Sequence, residues 1–164
     1  MDKQFLLSQL IDQLSASAQV AKAARDAAAT EAREGATPAE KREDARTAIE
    51  QGGLARAQDR RLREAESAVA ALLAFRPAAA RTGAVIGLGA VVEIEDEDTG
   101  EGRTFFLAPA GAGMTLTGPG GDGYLSVVTP SSPVGKAVLG RRVGDVIDVT
   151  IDGDVRSWAI SWAG

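Results

Sequence analysis

The side chains of this chain that could do acid or metal chemistry are carboxylates, and three lie close together at Glu40, Glu43 and Asp44. The chain has no histidine and no cysteine. That composition excludes disulfides, thiolate chemistry, Cys/His zinc sites and histidine acid–base catalysis. Any bound metal must therefore have oxygen ligands, a set that suits Mg²⁺ or Ca²⁺. Lys41 and Arg42 stand between the carboxylates and partly neutralise their charge.

A structural role also explains these carboxylates. Thr37, Pro38 and Glu40 fit the N-cap, the first position and the third position of a helix, which together form a capping box. Glu43 and Asp44 fit a solvated helix face with local salt bridges. The residues alone leave both interpretations open.

The elements that would position these carboxylates are helices. The first 76 residues are rich in Ala, Glu, Arg and Gln, and apolar residues recur there at helical spacing in two segments. A short connection between two long helices predicts an antiparallel helical hairpin with its tip at residues 34–50. Gly52 and Gly53 predict a kink or local break, because each costs a helix about 1 kcal/mol relative to alanine. The strongest predicted hairpin core is Leu7, Ile11, Leu14, Leu62, Val69 and Leu72.

The pattern changes after a predicted linker at residues 77–83. Residues 84–164 consist of short β-type runs separated by Gly, Asp and Pro. Residues 129–132 offer caps for a short helix at 133–139, which Gly140 ends. The predicted class is α+β, with a small antiparallel sheet packed by this helix. The predicted strands are 85–86, 91–95, 104–107, 115–116, 124–128, 146–151 and 157–160.

The core of this second domain must be built mainly from aliphatic side chains, because aromatic residues make up only 4% of the chain. We predict that Val134, Val138 and Leu139 belong to it. At least one of Trp158 and Trp162 should be buried there as well, since large aromatic side chains contribute much of the apolar area of a core.

Charge is unevenly distributed along the chain, whose net charge is −5. Residues 1–80 hold 12 basic and 12 acidic residues, whereas residues 81–164 hold 6 basic and 11 acidic residues. Neither half is the basic module expected of an autonomous nucleic-acid binder, so a protein partner is the better expectation. No apolar run is long enough to cross a bilayer and the N-terminus lacks a signal-peptide core, so we expect a cytoplasmic protein.

One stretch has a specific likeness. Residues 131–149, SSPVGKAVLGRRVGDVIDV, closely resemble the C-terminal signature of the Gre family of bacterial transcription elongation factors. Residues 91–101 resemble the first sheet hairpin of that family, and residues 39–46 and 54–61 resemble a Gre-like subgroup more weakly. The resemblance extends over the whole chain in order, and it implies an FKBP-like fold for the C-terminal domain.

The resemblance also implies a mechanism. In the Gre family, the C-terminal domain docks on RNA polymerase at the mouth of the secondary channel, and the coiled-coil hairpin enters the channel. Acidic residues at the tip help to hold a second Mg²⁺ at the polymerase active site, and the polymerase then cleaves the backtracked transcript. Such a factor is not itself an enzyme, has no cofactor of its own and meets the 3′ end of the transcript only indirectly.

Applied to this sequence, the resemblance makes Glu40, Glu43 and Asp44 the tip carboxylates, which would bind metal only within the polymerase complex. We expect a monomer with no membrane attachment and no sequence-specific DNA binding. The residues implied to bind the polymerase are Ser132, Pro133, Lys136, Arg141, Arg142 and Asp145.

The tip departs from the pattern of cleavage-active members. Their tip carries an Asp and a Glu three residues apart amid Asn and aromatic residues, whereas residues 34–50 contain no aromatic residue and mix acidic with basic side chains. A non-cleaving regulator of the same channel is therefore one alternative. A coiled-coil adaptor, pairing its alanine-rich stripe with another helix, is a second. Prolyl isomerase activity does not follow from an FKBP-like fold alone.

Overall fold

The computed structural model describes residues 2–34, 45–79, 83–121 and 123–164. Helices α1 and α2 come first, and a six-stranded sheet with one short helix, α3, follows. None of the described helices is both long and apolar enough to span a membrane. The bounds are α1 Lys3–Glu34, α2 Ala45–Ala74, β1 Val91–Asp96, β2 Gly102–Leu107, β3 Thr115–Thr117, β4 Tyr124–Val128, α3 Pro133–Val138, β5 Val146–Ile151 and β6 Asp154–Ala163.

Two compact units make up the chain. One consists of Met1–Ile11 together with Ala70–Gly164, and the other is Asp12–Val69. The first unit therefore contains the sheet with the start of α1 and the end of α2. The second unit contains the remaining, longer parts of both helices.

The two long helices run antiparallel, as predicted. In the first unit, Nζ of Lys3 donates a hydrogen bond to the backbone carbonyl of Ala78 at 2.9 Å. In the second unit, the guanidinium of Arg25 lies 3.8 Å from the carboxylate of Asp59. Residue numbers thus rise along one helix as they fall along the other, which is the order of a helical hairpin.

Helix α2 is continuous through Gly52 and Gly53, so the predicted local break was wrong. The two glycines cost propensity, but the other residues of this 30-residue helix are mostly good helix formers that outweigh them. A Cβ added at Gly53 would meet nothing within 4 Å. Packing therefore does not require glycine at that position.

The sheet has the order β3-β4-β2-β1-β6-β5 and is mixed. All neighbouring strands pair antiparallel except β2 and β4, which are parallel. The predicted wholly antiparallel sheet was therefore wrong at this one pairing. After β2 the chain first forms β3 at the sheet edge and returns as β4 between β3 and β2, so β4 takes the same direction as β2.

The inner face of the sheet, which α3 covers, holds the main core. Val134 and Val138 of α3 belong to it, as predicted. Trp158 is also buried there, and the guanidinium of Arg103 lies 5.7 Å from the centre of its ring. The remaining members are Ile86, Val92, Ile94, Phe105, Leu107, Val128, Ile147, Val149 and Ile160.

One half of the outer face is covered by helix residues of the same unit. Val91, Phe106 and Val127 align across β1, β2 and β4 there, and all three are buried. The side chain of Gln9 forms two hydrogen bonds with the backbone of Thr117 in β3, so the start of α1 lies against this half of the sheet. The helix residues buried in this unit are Leu6, Leu7, Leu10 and Leu72.

Candidate docking surface

The surface that contains the six predicted partner-binding residues begins at the N-terminus of α3. Ser132 is the N-cap, with extended backbone angles of φ −70° and ψ 155°. Its hydroxyl accepts a hydrogen bond from the N–H of Gly135 at 3.1 Å and donates one to the carbonyl of Thr129 at 2.8 Å. Pro133 follows at the first helical position, where a missing N–H costs nothing. Ser132 is half-buried and already bonded, so its role here is to hold the loop.

Gly135 sets how closely this loop approaches α3. A Cβ at this position would lie 1.9 Å from the carbonyl oxygen of Thr129. The loop before the helix can therefore fold back onto it only because residue 135 has no side chain. Lys136 comes next and is exposed.

The C-terminal end of α3 changes direction at Leu139 and Gly140. Leu139 is the C-cap, with an extended backbone (φ −61°, ψ 128°), and Gly140 has φ +81°. The turn directs Leu139 away from the core, and 42% of its surface is exposed. The prediction that Leu139 belongs to the core was therefore wrong.

The segment after α3 is held by backbone contacts with Ile86. The N–H of Gly140 donates to the carbonyl of Ile86 at 2.9 Å, and the N–H of Ile86 donates to the carbonyl of Arg141 at 2.8 Å. Among the described residues, Ile86 forms only these two bonds with the segment after α3, and no strand is formed at 85–86, so the strand predicted there was wrong. The two bonds fix the position of Arg141 beside the domain.

A tight turn then places Arg142 and Asp145. The carboxylate of Asp145 accepts a hydrogen bond from the N–H of Arg142 at 2.9 Å, and the N–H of Asp145 donates back to the Arg142 carbonyl at 3.1 Å. Gly144 has φ +92°, a conformation that favours glycine. The guanidinium of Arg142 donates to the carbonyl of Gly83. Arg142 and Asp145 thus both brace the turn.

The resulting surface is locally basic. Lys136, Arg141 and Arg142 are three of the five basic residues of the domain at 84–164, which holds 11 acidic ones. Within the described part of the chain, Lys136 and Arg141 make no side-chain hydrogen bond or ion pair. Together with exposed Leu139, they form the part of the surface that is free to meet a partner, which we call the docking surface. The contribution of Leu139 was missed from the sequence, because helical spacing assigned it to the core.

The predicted tip carboxylates Glu40, Glu43 and Asp44 lie outside the described residues. Among residues 2–34, 45–79, 83–121 and 123–164, no group of three or more acidic side chains is arranged to hold a metal ion. The six residues predicted to bind a partner thus lie in the described segment from Ser132 to Asp145, and both their binding role and metal binding at the tip stay predictions.

Comparison with known proteins finds several that this chain resembles. Residues 81–161 match the family model "Transcription elongation factor, GreA/GreB, C-term". Over 68 residues the chain is 43% identical to "Transcription inhibitor protein Gfh1" of Thermus aquaticus. That alignment covers 42% of this chain and 40% of the other protein. Over 79 residues the chain is 33% identical to "Transcription elongation factor GreA" of Methylobacterium sp. (strain 4-46). This second alignment covers 48% of this chain and 45% of the other protein.

The chain thus spans less than half the length of these curated relatives. Among solved structures, it resembles "GreA factor homolog 1 (Gfh1) protein of Thermus thermophilus" with a TM-score of 0.42 and 24% identity. That alignment covers 96% of this chain and 92% of the other.

Proposed function

Because the chain belongs, through its C-terminal domain at residues 81–161, to the GreA/GreB family of transcription elongation factors, we propose that it binds RNA polymerase and regulates transcription from the secondary channel. The family match carries this proposal. In it, the sheet domain docks on the polymerase, and the helical hairpin extends residues 34–50 into the channel. The protein acts as an accessory factor, and any bond cleavage is performed by the polymerase.

The docking surface supports the first part of this proposal. Lys136 and Arg141 are exposed and have no side-chain partner among the described residues, and Leu139 between them adds an exposed apolar side chain. An apolar centre flanked by cations fits a polymerase surface with a hydrophobic patch and acidic residues around it. The N-cap and the turn at Arg142 hold the backbone that carries these side chains, so little backbone ordering adds to the entropic cost of binding.

Stimulation of transcript cleavage is the first activity that the tip would support. Carboxylates are the ligands that Mg²⁺ prefers, and a second metal ion stabilises both the attacking and the leaving oxygen of a phosphodiester. In this proposal Glu40, Glu43 and Asp44 share the ion with the polymerase, and the factor holds no metal when free.

Inhibition without cleavage is the second activity, and two observations favour it. Lys41 and Arg42 lie between the carboxylates and compete with a cation for them. In addition, the relatives of 40–43% identity carry the name transcription inhibitor. A hairpin that fills the channel without a competent metal site would hinder nucleotide addition rather than rescue a backtracked complex.

Binding should be measured first, with the full-length protein and purified bacterial RNA polymerase. The chain has no cysteine, so one cysteine introduced at exposed Ala24 accepts a fluorescent label at a single site. Saturable binding that competes with an authentic Gre factor supports the proposal. No binding, combined with association of the helices with another coiled coil, would favour the adaptor alternative instead.

Activity is then tested on stalled, backtracked elongation complexes at saturating factor. Wild type is compared with Glu40→Ala, Glu43→Ala and Asp44→Ala, and Glu64→Ala serves as a matched control on an exposed part of α2. If wild type stimulates transcript cleavage and the tip variants bind the polymerase without stimulating it, the protein is a cleavage factor. Slower RNA synthesis by wild type with no cleavage identifies an inhibitor.

A further inference from the structure

Exposed carboxylates lie on the outer face of the sheet, along β1 and β5. Glu93 and Glu95 of β1 point to this side, and the register places Trp162 of β6 opposite Glu93. Asp148 of β5 stands on the same face, where its carboxylate accepts a hydrogen bond from the hydroxyl of Ser157 at 2.6 Å. All of these residues are exposed, and Trp162 exposes 41% of its surface. We call Glu93, Glu95, Asp148 and Trp162 the acidic face.

No cation neutralises the acidic face within the described residues. The arginines of the neighbouring strands, Arg103 and Arg156, register with Ile94 and Val149 on the inner side of the sheet. Both are already paired there, Arg103 with Glu101 and Asp152 and Arg156 with Asp96 and Asp154. The carboxylates of Glu93 and Glu95 therefore face solvent without a counter-charge.

The complementary feature lies on α2 of the same chain. Arg56, Arg60 and Arg63 are exposed and stand at positions i, i+4 and i+7, so they form one stripe along the helix. Arg63 is paired with Asp59, whereas Arg56 and Arg60 have no ion-pair partner among the described residues. We call Arg56, Arg60 and Arg63 the arginine stripe.

The spacings of the two features agree. Residues four apart on a helix are separated by about 6 Å along its axis, and residues two apart on a strand by about 7 Å. The pair Arg56 and Arg60 can therefore meet the pair Glu93 and Glu95 one to one. Trp162, beside Glu93, offers a ring face on which a guanidinium can stack.

We propose that the acidic face of one copy of this protein binds the arginine stripe of a second copy. The contact is built from surface ion pairs with one cation–π contact, so it forms a weak, salt-sensitive association. It would make the protein self-associate at high concentration, in contrast to the monomer that the sequence led us to expect. This inference does not depend on polymerase binding.

The test is sedimentation equilibrium of the full chain at about 20 mM and about 500 mM NaCl, where screening lengths differ several-fold. Wild type should associate at low salt and return to monomer at high salt. Two charge-reversed variants, Glu93→Arg/Glu95→Arg and Arg56→Glu/Arg60→Glu, should each weaken self-association at least about tenfold, a change of about 1.4 kcal/mol. Circular dichroism confirms that each variant keeps its fold.

The decisive arm mixes the two variants. One retains the acidic face and the other retains the arginine stripe, so the mixture should associate at low salt although neither variant does so alone. A wild type that stays monomeric at low salt, or a mixture that fails to associate, would overturn the proposal. Binding of the acidic face to an added arginine-rich peptide but not to a second copy would assign the face to a different basic protein, and would overturn it equally.

Discussion

Gly135 and Thr129 approach so closely that a Cβ on residue 135 would lie 1.9 Å from the carbonyl oxygen of Thr129. The same oxygen accepts the hydroxyl of Ser132 at 2.8 Å, and the Ser132 hydroxyl in turn accepts the N–H of Gly135. The absence of one side chain thus allows the loop, the N-cap and α3 to close into a single unit. The loop, the N-cap and α3 together support the docking surface.

Gly135→Ala should therefore destabilise the sheet domain by about 2–3 kcal/mol, because backbone atoms rather than a flexible side chain must move to admit the methyl group. The measurement is the free energy of unfolding by urea, followed by near-ultraviolet circular dichroism. A change below about 0.5 kcal/mol would show that the loop relaxes freely, and would contradict the close approach.

Gly53→Ala should raise the free energy of unfolding, whereas Gly135→Ala should lower it. Residue 53 lies inside α2, its Cβ would meet nothing within 4 Å, and alanine is favoured over glycine in a helix by about 1 kcal/mol. We expect a gain in helix content and stability of about 0.5–1 kcal/mol, seen as a rise in the thermal midpoint of the far-ultraviolet signal. A loss of stability would mean that the glycine is needed for a bend at this position.

These two glycines illustrate what sequence can predict. Local chemistry was sufficient for the Ser132 cap and for the strands at Val91–Asp96 and Tyr124–Val128, because neighbouring residues determine those features. Propensity alone was misleading at Gly53, since the rest of a long helix outweighed it.

Nonlocal relationships could not be predicted from local patterns. The parallel pairing of β2 with β4 depends on the path of the chain through β3. The residues within each strand do not indicate that path. Leu139 follows the helical spacing of the core, and only the change of backbone direction at the C-cap exposes it. Leu6 and Leu10 are buried on the flank of α1 next to its predicted stripe, and Leu10 lies against Gly111, a residue distant in sequence.

Gln9 should contribute to stability through both ends of its amide. Its Nε2 donates to the carbonyl of Thr117 at 2.8 Å, and its Oε1 accepts the Thr117 N–H at 3.1 Å. Gln9→Ala leaves two groups of the edge strand β3 without these partners, so we expect a loss of about 1–2 kcal/mol. The measurement is urea unfolding, with Gln4→Ala as an exposed control on the same helix; equal effects of the two substitutions would refute the claim.

Asp96 should make the domain less stable in acid. The N–H groups of Thr99 and Asp98 and the guanidinium of Arg156 bind its buried carboxylate, and these bonds lower its pKa despite the burial. A carboxyl whose native pKa lies below its unfolded value of about 3.9 stabilises the fold above that value, and the stabilisation is lost as pH falls through the native pKa.

The difference in unfolding free energy between wild type and Asp96→Asn should therefore be constant from about pH 5 to pH 7 and should shrink below about pH 4. Urea unfolding across this range provides the measurement. Glu97→Gln, at an exposed neighbouring carboxylate, is the control and should show no such change. A wild-type advantage that grows as the pH falls would reverse the sign and disprove the assignment.

Charge reversal on the docking surface should weaken binding to RNA polymerase without changing the stability of the fold. Lys136→Glu/Arg141→Glu reverses the two cations of this surface, and neither side chain has a hydrogen bond or an ion pair to lose within the described residues. We expect the affinity for RNA polymerase to fall about tenfold or more at low salt. The difference in affinity between wild type and the variant should narrow at high salt, because screening weakens both the attraction and the repulsion. Fluorescence anisotropy of the labelled full chain measures both affinities.

Arg156→Glu is not a suitable control for this experiment, because that arginine binds Asp96. A better one is Arg61→Glu on α2, which reverses a charge of the same type at an exposed position. The docking variant should weaken binding while its unfolding free energy stays within about 0.5 kcal/mol of wild type, as is usual for surface substitutions. If the docking variant binds as tightly as wild type at low salt, Lys136 and Arg141 add nothing to the attraction, and the assignment of the docking surface is wrong, since charges in an interface steer and strengthen association.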